Sequence, residues 1–291
     1  FGCKIVYGKA FGSMIINNGI NVENYDRLFI LSSHPDNFLG CSTMGKINFL
    51  GSNISIVWAG RFNFSSNWPL ISWTWFDFLL AHELGHSLGL NHSNKWPCKG
   101  QVLYGDCQHF EYGNFFDIMG NSGLALHTNA FYKNLLGWIS PDSLLNINQT
   151  GTYTLNPIEL AGGKLAAIIS LIGIPDTFYL EYRQGIGFDS NLNSNRLASN
   201  QRGLFVNKIH FASDNSGLWY DHALFPYLLD MRPNDLPGGY IGDVNVSLND
   251  SFSDNGLGLS IKIVEQSFDR ITFNVSISPP AVCEQHEPIF D

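Results

Sequence analysis

Apolar and polar positions fall into two textures along the chain. In the first half, Arg27–Leu31 and residues 54–58 are short runs of branched and aromatic residues, the pattern of strands. Residues 76–90 carry few charges and apolar side chains on every face, which predicts a mostly buried helix. Gly89 near its end is placed to stop it, because glycine enters the left-handed conformation at little cost. A second helix is expected over residues 129–136, closed by Gly137 and followed by Pro141. From about residue 150 the pattern changes to short alternating runs separated by Gly, Asn, Asp and Pro. Residues 152–155, 165–172, 177–182, 203–210, 259–264 and 270–277 read as strands with no helical period between them. The expected architecture is an α+β domain over residues 1–145, a twisted mixed sheet backing the 76–90 helix. An all-β, sandwich-like domain over 146–280 follows, and 281–291 reads as a tail or the start of a linker.

Composition narrows the function class. With 291 residues, 44% of them apolar, both halves can bury a core. Only 14% are charged, and the net charge of −9 has the wrong sign for a phosphate-backbone binder, so nucleic acid is not an expected partner. No run approaches the roughly 18 uninterrupted apolar residues of a membrane helix; the greasiest stretch, 68–81, is broken by Pro69, Ser72 and Asp77. The start at Phe1, without an initiator Met, reads as a mature or trimmed chain. Cys98 and Cys107 bracket a short loop and are placed to close it, Cys3 with Cys41 is a looser pairing, and Cys283 is left over. Sequons occur at Asn53, Asn63, Asn148, Asn245, Asn249 and Asn274. Low charge with candidate disulfides points to a secreted or cell-surface protein.

The chemistry concentrates in His82-Glu83-Leu-Gly-His86-Ser-Leu-Gly89-Leu-Asn-His92. Residues four apart share a helical face, so His82 and His86 can hold one metal ion, with Glu83 beside them. Gly89 lets the chain turn sharply and bring His92 back as a third ligand. Three imidazoles suit Zn²⁺ and leave a position for water, which Glu83 is placed to deprotonate as it attacks a carbonyl. The plain alternative is a buried helix with paired polar residues. Burying two histidines and a glutamate without a metal is costly, which weighs against it. A glycan on the overlapping Asn91 sequon would obstruct the site, so Asn91 is expected to be unmodified.

The extended motif resembles that of the metzincin metallopeptidases, whose second hallmark is a methionine turn beneath the zinc. Met119, 27 positions after His92, fits that place. The stretch Tyr112-Gly-Asn-Phe-Phe-Asp117-Ile-Met119-Gly120 is similar to the form found in gametolysin-like and immune-inhibitor-A-like peptidases, with Asn114 where Asp is usual. If that Asp serves a local turn, Asn can replace it; if it binds a cation, the site is weakened. Residues 24–31, 40–45, 129–138, 151–155 and 179–183 also resemble family segments. The resemblance implies a metzincin-type catalytic domain with one catalytic Zn²⁺ and Met119 as the floor. It also implies an extended peptide paired with an edge strand near residues 54–58, with Ile56 and Trp58 lining the cleft. The tyrosine that some metzincins carry two residues after the methionine is Asn121 here.

Other candidates keep two readings. Tyr132 either approaches the cleft or packs on a helical face, and His127 either lines the pocket beyond the scissile bond or sits at the surface as a cap. Asp243, Asn245, Asp250, Asp254 and Asn255 either hold Ca²⁺ or serve turns. Glu181 and Arg183 are expected to pair with neighbours, and His34, His109, His210, His222 and His286 to be structural. Cys3 reads as a disulfide partner before an inhibitory thiol. The whole reads as a secreted, monomeric zinc endopeptidase acting on extracellular proteins or glycoproteins. Its β-rich half would shape the cleft or contact a surface glycan or protein. The rivals are a non-catalytic adhesin or carbohydrate- or protein-binding module on the same fold, against which an intact Glu83 argues, and an amidase of cell-wall or glycoprotein amides.

Overall fold

The apolar run around residue 56 organises the first half. A computed structural model describes residues 9–31, 40–59, 73–98, 102–103, 106–193, 202–212, 223–231 and 244–278. Cys3, His34, Asn63, His222, Asp243, Cys283, His286 and the 281–291 tail lie outside the described residues. Helix α1 (Lys9–Asn17) precedes strand β1 (Arg27–Leu31), which runs parallel to β4 (Ser52–Ala59). Strands β2 (Gly40–Ser42) and β3 (Ile47–Phe49) pair antiparallel with β4 on its other side. Ile54 and Ile56 of β4 pack with Ile15 of α1 and with Val22, while Ser55, Val57 and Ala59 are buried on the opposite face. Helix α2 (Trp73–Ser87) packs across β2 and β4.

This arrangement corrects the expected substrate edge. Strand β4 is the centre of its sheet, and Ile56 is 0% exposed, so neither strand nor side chain faces a cleft. Trp58 is buried as well. The edge beside α2 is β2, paired to β4 through Gly40↔Ala59, Cys41↔Trp58 and Ser42↔Val57. A strand covered on both faces reads as a near-continuous apolar run, which is what residues 54–59 show.

Two larger sheets follow. One has the order β5 (Asn94–Trp96), β11 (Ala223–Leu229), β10 (Gly203–Ala212), β9 (Thr177–Arg183), β8 (Ala166–Ser170) and β6 (Leu144–Ile147). The other has the order β12 (Ser251–Asp254), β13 (Leu259–Gln266), β14 (Ile271–Ile277) and β7 (Gly151–Leu155). The first therefore takes strands from both sides of residue 145. Its two faces differ, as alternation along a strand requires. Phe178, Leu180 and Tyr182 of β9 join Ile261, Ile271 and Phe273 of the second sheet in one cluster. Tyr179 points the other way, into a cluster with Phe78 of α2, Met119 and Phe131 of helix α3 (Ala130–Leu135). Glu181 and Arg183 share that second face. Strand β11 carries Pro226, which cannot donate to a ladder; its partner β5 pairs only with Tyr227–Leu229, so the proline lies past the end of that pairing.

Cys98 and Cys107 form the expected disulfide, and Cys41 is also disulfide-bonded. No described helix is long and apolar enough to cross a membrane.

Candidate metal centre

Helix α2 ends where the motif requires. Gly89 has φ +93°, and the N–H of Leu90 reaches back to the Gly85 carbonyl at 3.0 Å, the closing bond of a left-handed helix stop. The stop turns Leu90 under the helix, where its carbonyl accepts from Nδ1 of His86 at 2.7 Å. Two residues later the chain presents His92. Ser93 is then pinned: its N–H donates to the Met119 carbonyl at 2.8 Å, and its carbonyl accepts from Asn114 N–H at 3.2 Å.

The ligating atoms of His82, His86 and His92 all lie within 4.8 Å of one another. Each ring is fixed through Nδ1: His82 to the Ile118 carbonyl at 2.8 Å, His86 to Leu90, and His92 to Oε1 of Glu111 at 2.7 Å. A carbonyl or carboxylate oxygen only accepts, so each Nδ1 carries the hydrogen and each Nε2 of a neutral ring presents a lone pair. Burial lowers the His82 imidazole to about 4 and that of His86 well below its ordinary value, which keeps both in the ligand form. The Nε2 atoms of His86 and His92 face each other at 3.1 Å. Two lone pairs so close repel unless a cation lies between them, and tetrahedral zinc with bonds near 2.05 Å spaces its ligands by about 3.3 Å. The donor set therefore fits Zn²⁺.

Glu83, the residue after His82, is buried, and its Oε2 has no hydrogen-bond partner among the described residues. Burial pushes its carboxyl up to about 8. Its other oxygen lies against Gly40 of β2: a Cβ there would be 2.7 Å from Oε1 and 2.9 Å from Leu79 Cδ1. The edge strand can close over the carboxylate because that residue is glycine. The loop after β2 is docked on the same helix by Gly45 N–H, which donates to the His86 carbonyl at 2.9 Å.

Met119 is fully buried under α2, and a Cβ at Gly85 would stand 2.2 Å from its sulfur. Its loop is held by Asp117, whose carboxylate accepts from Met119 N–H (2.7 Å), Asn129 N–H (2.8 Å) and Asn129 Nδ2 (2.6 Å). Asn114 serves a turn: Oδ1 accepts from Phe116 N–H at 3.1 Å, and Nδ2 donates to Ser93 Oγ at 3.0 Å, a donation a carboxylate cannot make. Glu181 accepts from Ala130 N–H at the start of α3, and Arg183 pairs with Asp189 at 2.6 Å and donates to the Phe116 carbonyl. These two strand residues thus brace the methionine loop from the large sheet.

The remaining candidates are placed as follows. Tyr132 is 1% exposed and corrects the cleft reading: its hydroxyl donates to the Asn91 carbonyl at 2.8 Å, steadying the His92 loop from behind. His127 is half-buried against Phe188, donates its N–H to Asp189, and is lowered to about 4 by burial. Among the described residues of the calcium cluster, Asn245 Nδ2 donates to the Arg202 carbonyl, Asp250 accepts from Ser247 N–H, and Asp254 accepts from Leu257 N–H. These are turn roles, and Ca²⁺ is not supported. Glu111 and the ring of Tyr112 lie at the metal ligands, a placement that spacing alone did not reveal. A cleft of about 550 Å³ lies along Asp77, Leu80, Ala81 and Leu84, facing Leu124 and Phe188. These helix residues recur at i, i+3, i+4 and i+7, on the face of α2 turned away from His82 and His86.

Residues 12–114 match the model of metallo-peptidase family M12. The match covers the small sheet, α2 and the three histidines, and supports a metallopeptidase; peptidases of that family are zinc-dependent. No curated protein and no solved structure matches the chain.

Proposed function

We propose that the chain is a secreted zinc endopeptidase of the metzincin group that cleaves extended segments of extracellular proteins. One observation carries the reading: three imidazoles bring their ligating atoms within 4.8 Å of one another, and the residue after the first of them is a buried glutamate. His82, His86 and His92 would hold the ion. When bound, Zn²⁺ supplies Lewis acidity to the scissile carbonyl and to the attacking water. Glu83 takes the proton from that water as its oxygen bonds to the carbonyl carbon, then passes it to the amine nitrogen as the C–N bond breaks. The substrate backbone would pair with β2, one side of which is taken by β4 and whose Gly40 packs against Glu83. Met119 forms the floor. The Cys98–Cys107 disulfide and the low charge support export.

The test is cleavage of a denatured protein substrate by the full chain before and after zinc removal. A chelator should abolish cleavage, and restored zinc should return it. Cleavage that survives complete zinc removal overturns the reading, and absence of cleavage by the zinc-loaded chain favours the binding module.

A further inference from the structure

The third imidazole is held differently from the first two. His82 and His86 are oriented by main-chain carbonyls, His92 by the side chain of Glu111. Resting on the zinc reading above, we propose that Glu111 and Tyr112 form a clamp on His92 that retains the metal, Glu111 holding the edge of the ring and Tyr112 covering its face.

Glu111 Oε1 lies 2.7 Å from His92 Nδ1, and its side chain is 45% exposed, so it reaches from the surface to the ligand. A carboxylate accepts more strongly than a carbonyl, and its charge strengthens the opposite nitrogen as a donor to metal. The Tyr112 ring lies 3.7 Å from the His92 ring, centroid to centroid, at 35°, and 5.9 Å from that of His82 at 27°. It is still 36% exposed, so it stands between two of the ligands and solvent.

The backbone supplies a separate observation. Lys95 and Phe110 exchange two hydrogen bonds of 3.1 Å, and Gly113 N–H donates to the Phe110 carbonyl, closing a turn with Glu111 and Tyr112 at its corners. Tyr112 has φ +59°. A corner of that kind takes Gly or Asn without strain, and a tyrosine there is unfavourable. The conformation persists because it is fixed from both sides. Tyr112 N–H donates to Asn94 Oδ1 at 3.1 Å, and its carbonyl accepts from Asn121 N–H at 3.0 Å. Strain kept beside a metal site points to a task for the ring. A residue serving only the turn would be better as glycine, and that contrast separates the clamp from a structural role.

The experiment measures Zn²⁺ affinity of the full chain by competition with a chromophoric chelator, the visible spectrum with Co²⁺, and the melting temperature of the metal-free protein. Glu111→Ala and Tyr112→Gly should weaken Zn²⁺ binding about 10- to 100-fold. Glu111→Gln, which keeps an acceptor oxygen without the charge, should fall between, and Tyr112→Phe should stay within about threefold of wild type. The Co²⁺ bands should move in Glu111→Ala and not in Tyr112→Phe. Metal-free Glu111→Ala should melt with wild type, and metal-free Tyr112→Gly at or above it. Affinities of both truncations within about threefold of wild type overturn the proposal. So does a loss of affinity accompanied by a lower metal-free melting temperature, which would mark a structural role. A wild-type chain that binds no Zn²⁺ removes the reading beneath it, a failure recognisable because it precedes any substitution.

Discussion

Gly85, inside the motif, is where helix propensity and packing give opposite predictions. Replacing glycine by alanine in a helix ordinarily stabilises by about 1 kcal/mol. Here the new Cβ would stand 2.2 Å from Met119 Sδ and 3.2 Å from its Cε, and Met119 is fully buried, so the sulfur has no open space to enter. Overpacking of this kind costs roughly 1–3 kcal/mol. The two effects leave Gly85→Ala neutral to destabilising by about 2 kcal/mol. Displacing the methionine loop also moves the Ile118 carbonyl that orients His82, so zinc affinity should fall as well. In a Met119→Ala background the clash is gone and the helix gain remains, so the same substitution should stabilise by about 1 kcal/mol. Urea unfolding of the four zinc-free proteins gives the coupling energy, expected to be about 1–3 kcal/mol. Stabilisation by Gly85→Ala in the wild-type background, with additivity in the cycle, would refute the packing of Met119 against α2.

Two further outcomes follow from the same contacts. Gly40→Ala places its Cβ 2.7 Å from Glu83 Oε1 and 2.9 Å from Leu79 Cδ1, both on buried side chains of α2, so β2 must shift and stability should fall by roughly 1–3 kcal/mol. The displaced carboxylate should lower kcat on a fluorogenic peptide about 10- to 100-fold, and an unchanged kcat would show that β2 does not set its position. Burial alone would raise the Asp189 carboxyl, but the Arg183 guanidinium and the His127 N–H hold it below its ordinary value. Its contribution is therefore complete above about pH 4, where the unfolded carboxyl is also ionised, and is lost as pH falls through the lower folded value. Asp189→Asn should flatten the acid limb of the stability curve, and an acid limb as steep as wild type would remove the pair from the account.

The parts legible in the sequence were those with a long pattern or a fixed spacing. The helix carrying the histidines, the strands expected over 152–155 and 177–182, and the helix expected over 129–136 all stand close to where periodicity and turn residues put them; Asn129 caps the last rather than opening it. Strands β2, β3 and β5 have three residues each, too few to show a period of two, and β11 is interrupted by Pro226. The misplaced substrate edge has a similar cause. Alternation tells which faces of a strand are covered, and strand order in a sheet depends on partners distant in sequence. The apolar run from 54 to 59, broken only by Ser55, was the available sign of a central strand. In the site, the three ligands and Glu83 follow from spacing, because a helix and a glycine stop fix their geometry. Tyr132 and Glu111 act on the ligands through contacts 40 and 19 residues apart, which no local pattern encodes.

In the proposed mechanism Glu83 moves the proton at a zinc site formed by His82, His86 and His92. The most direct measurement compares turnover of one peptide by wild type and Glu83→Ala at equal, measured zinc content. With zinc retained in both, turnover should fall about 10²- to 10⁴-fold in the variant. Equal cleavage by the two proteins would rule out that role for Glu83.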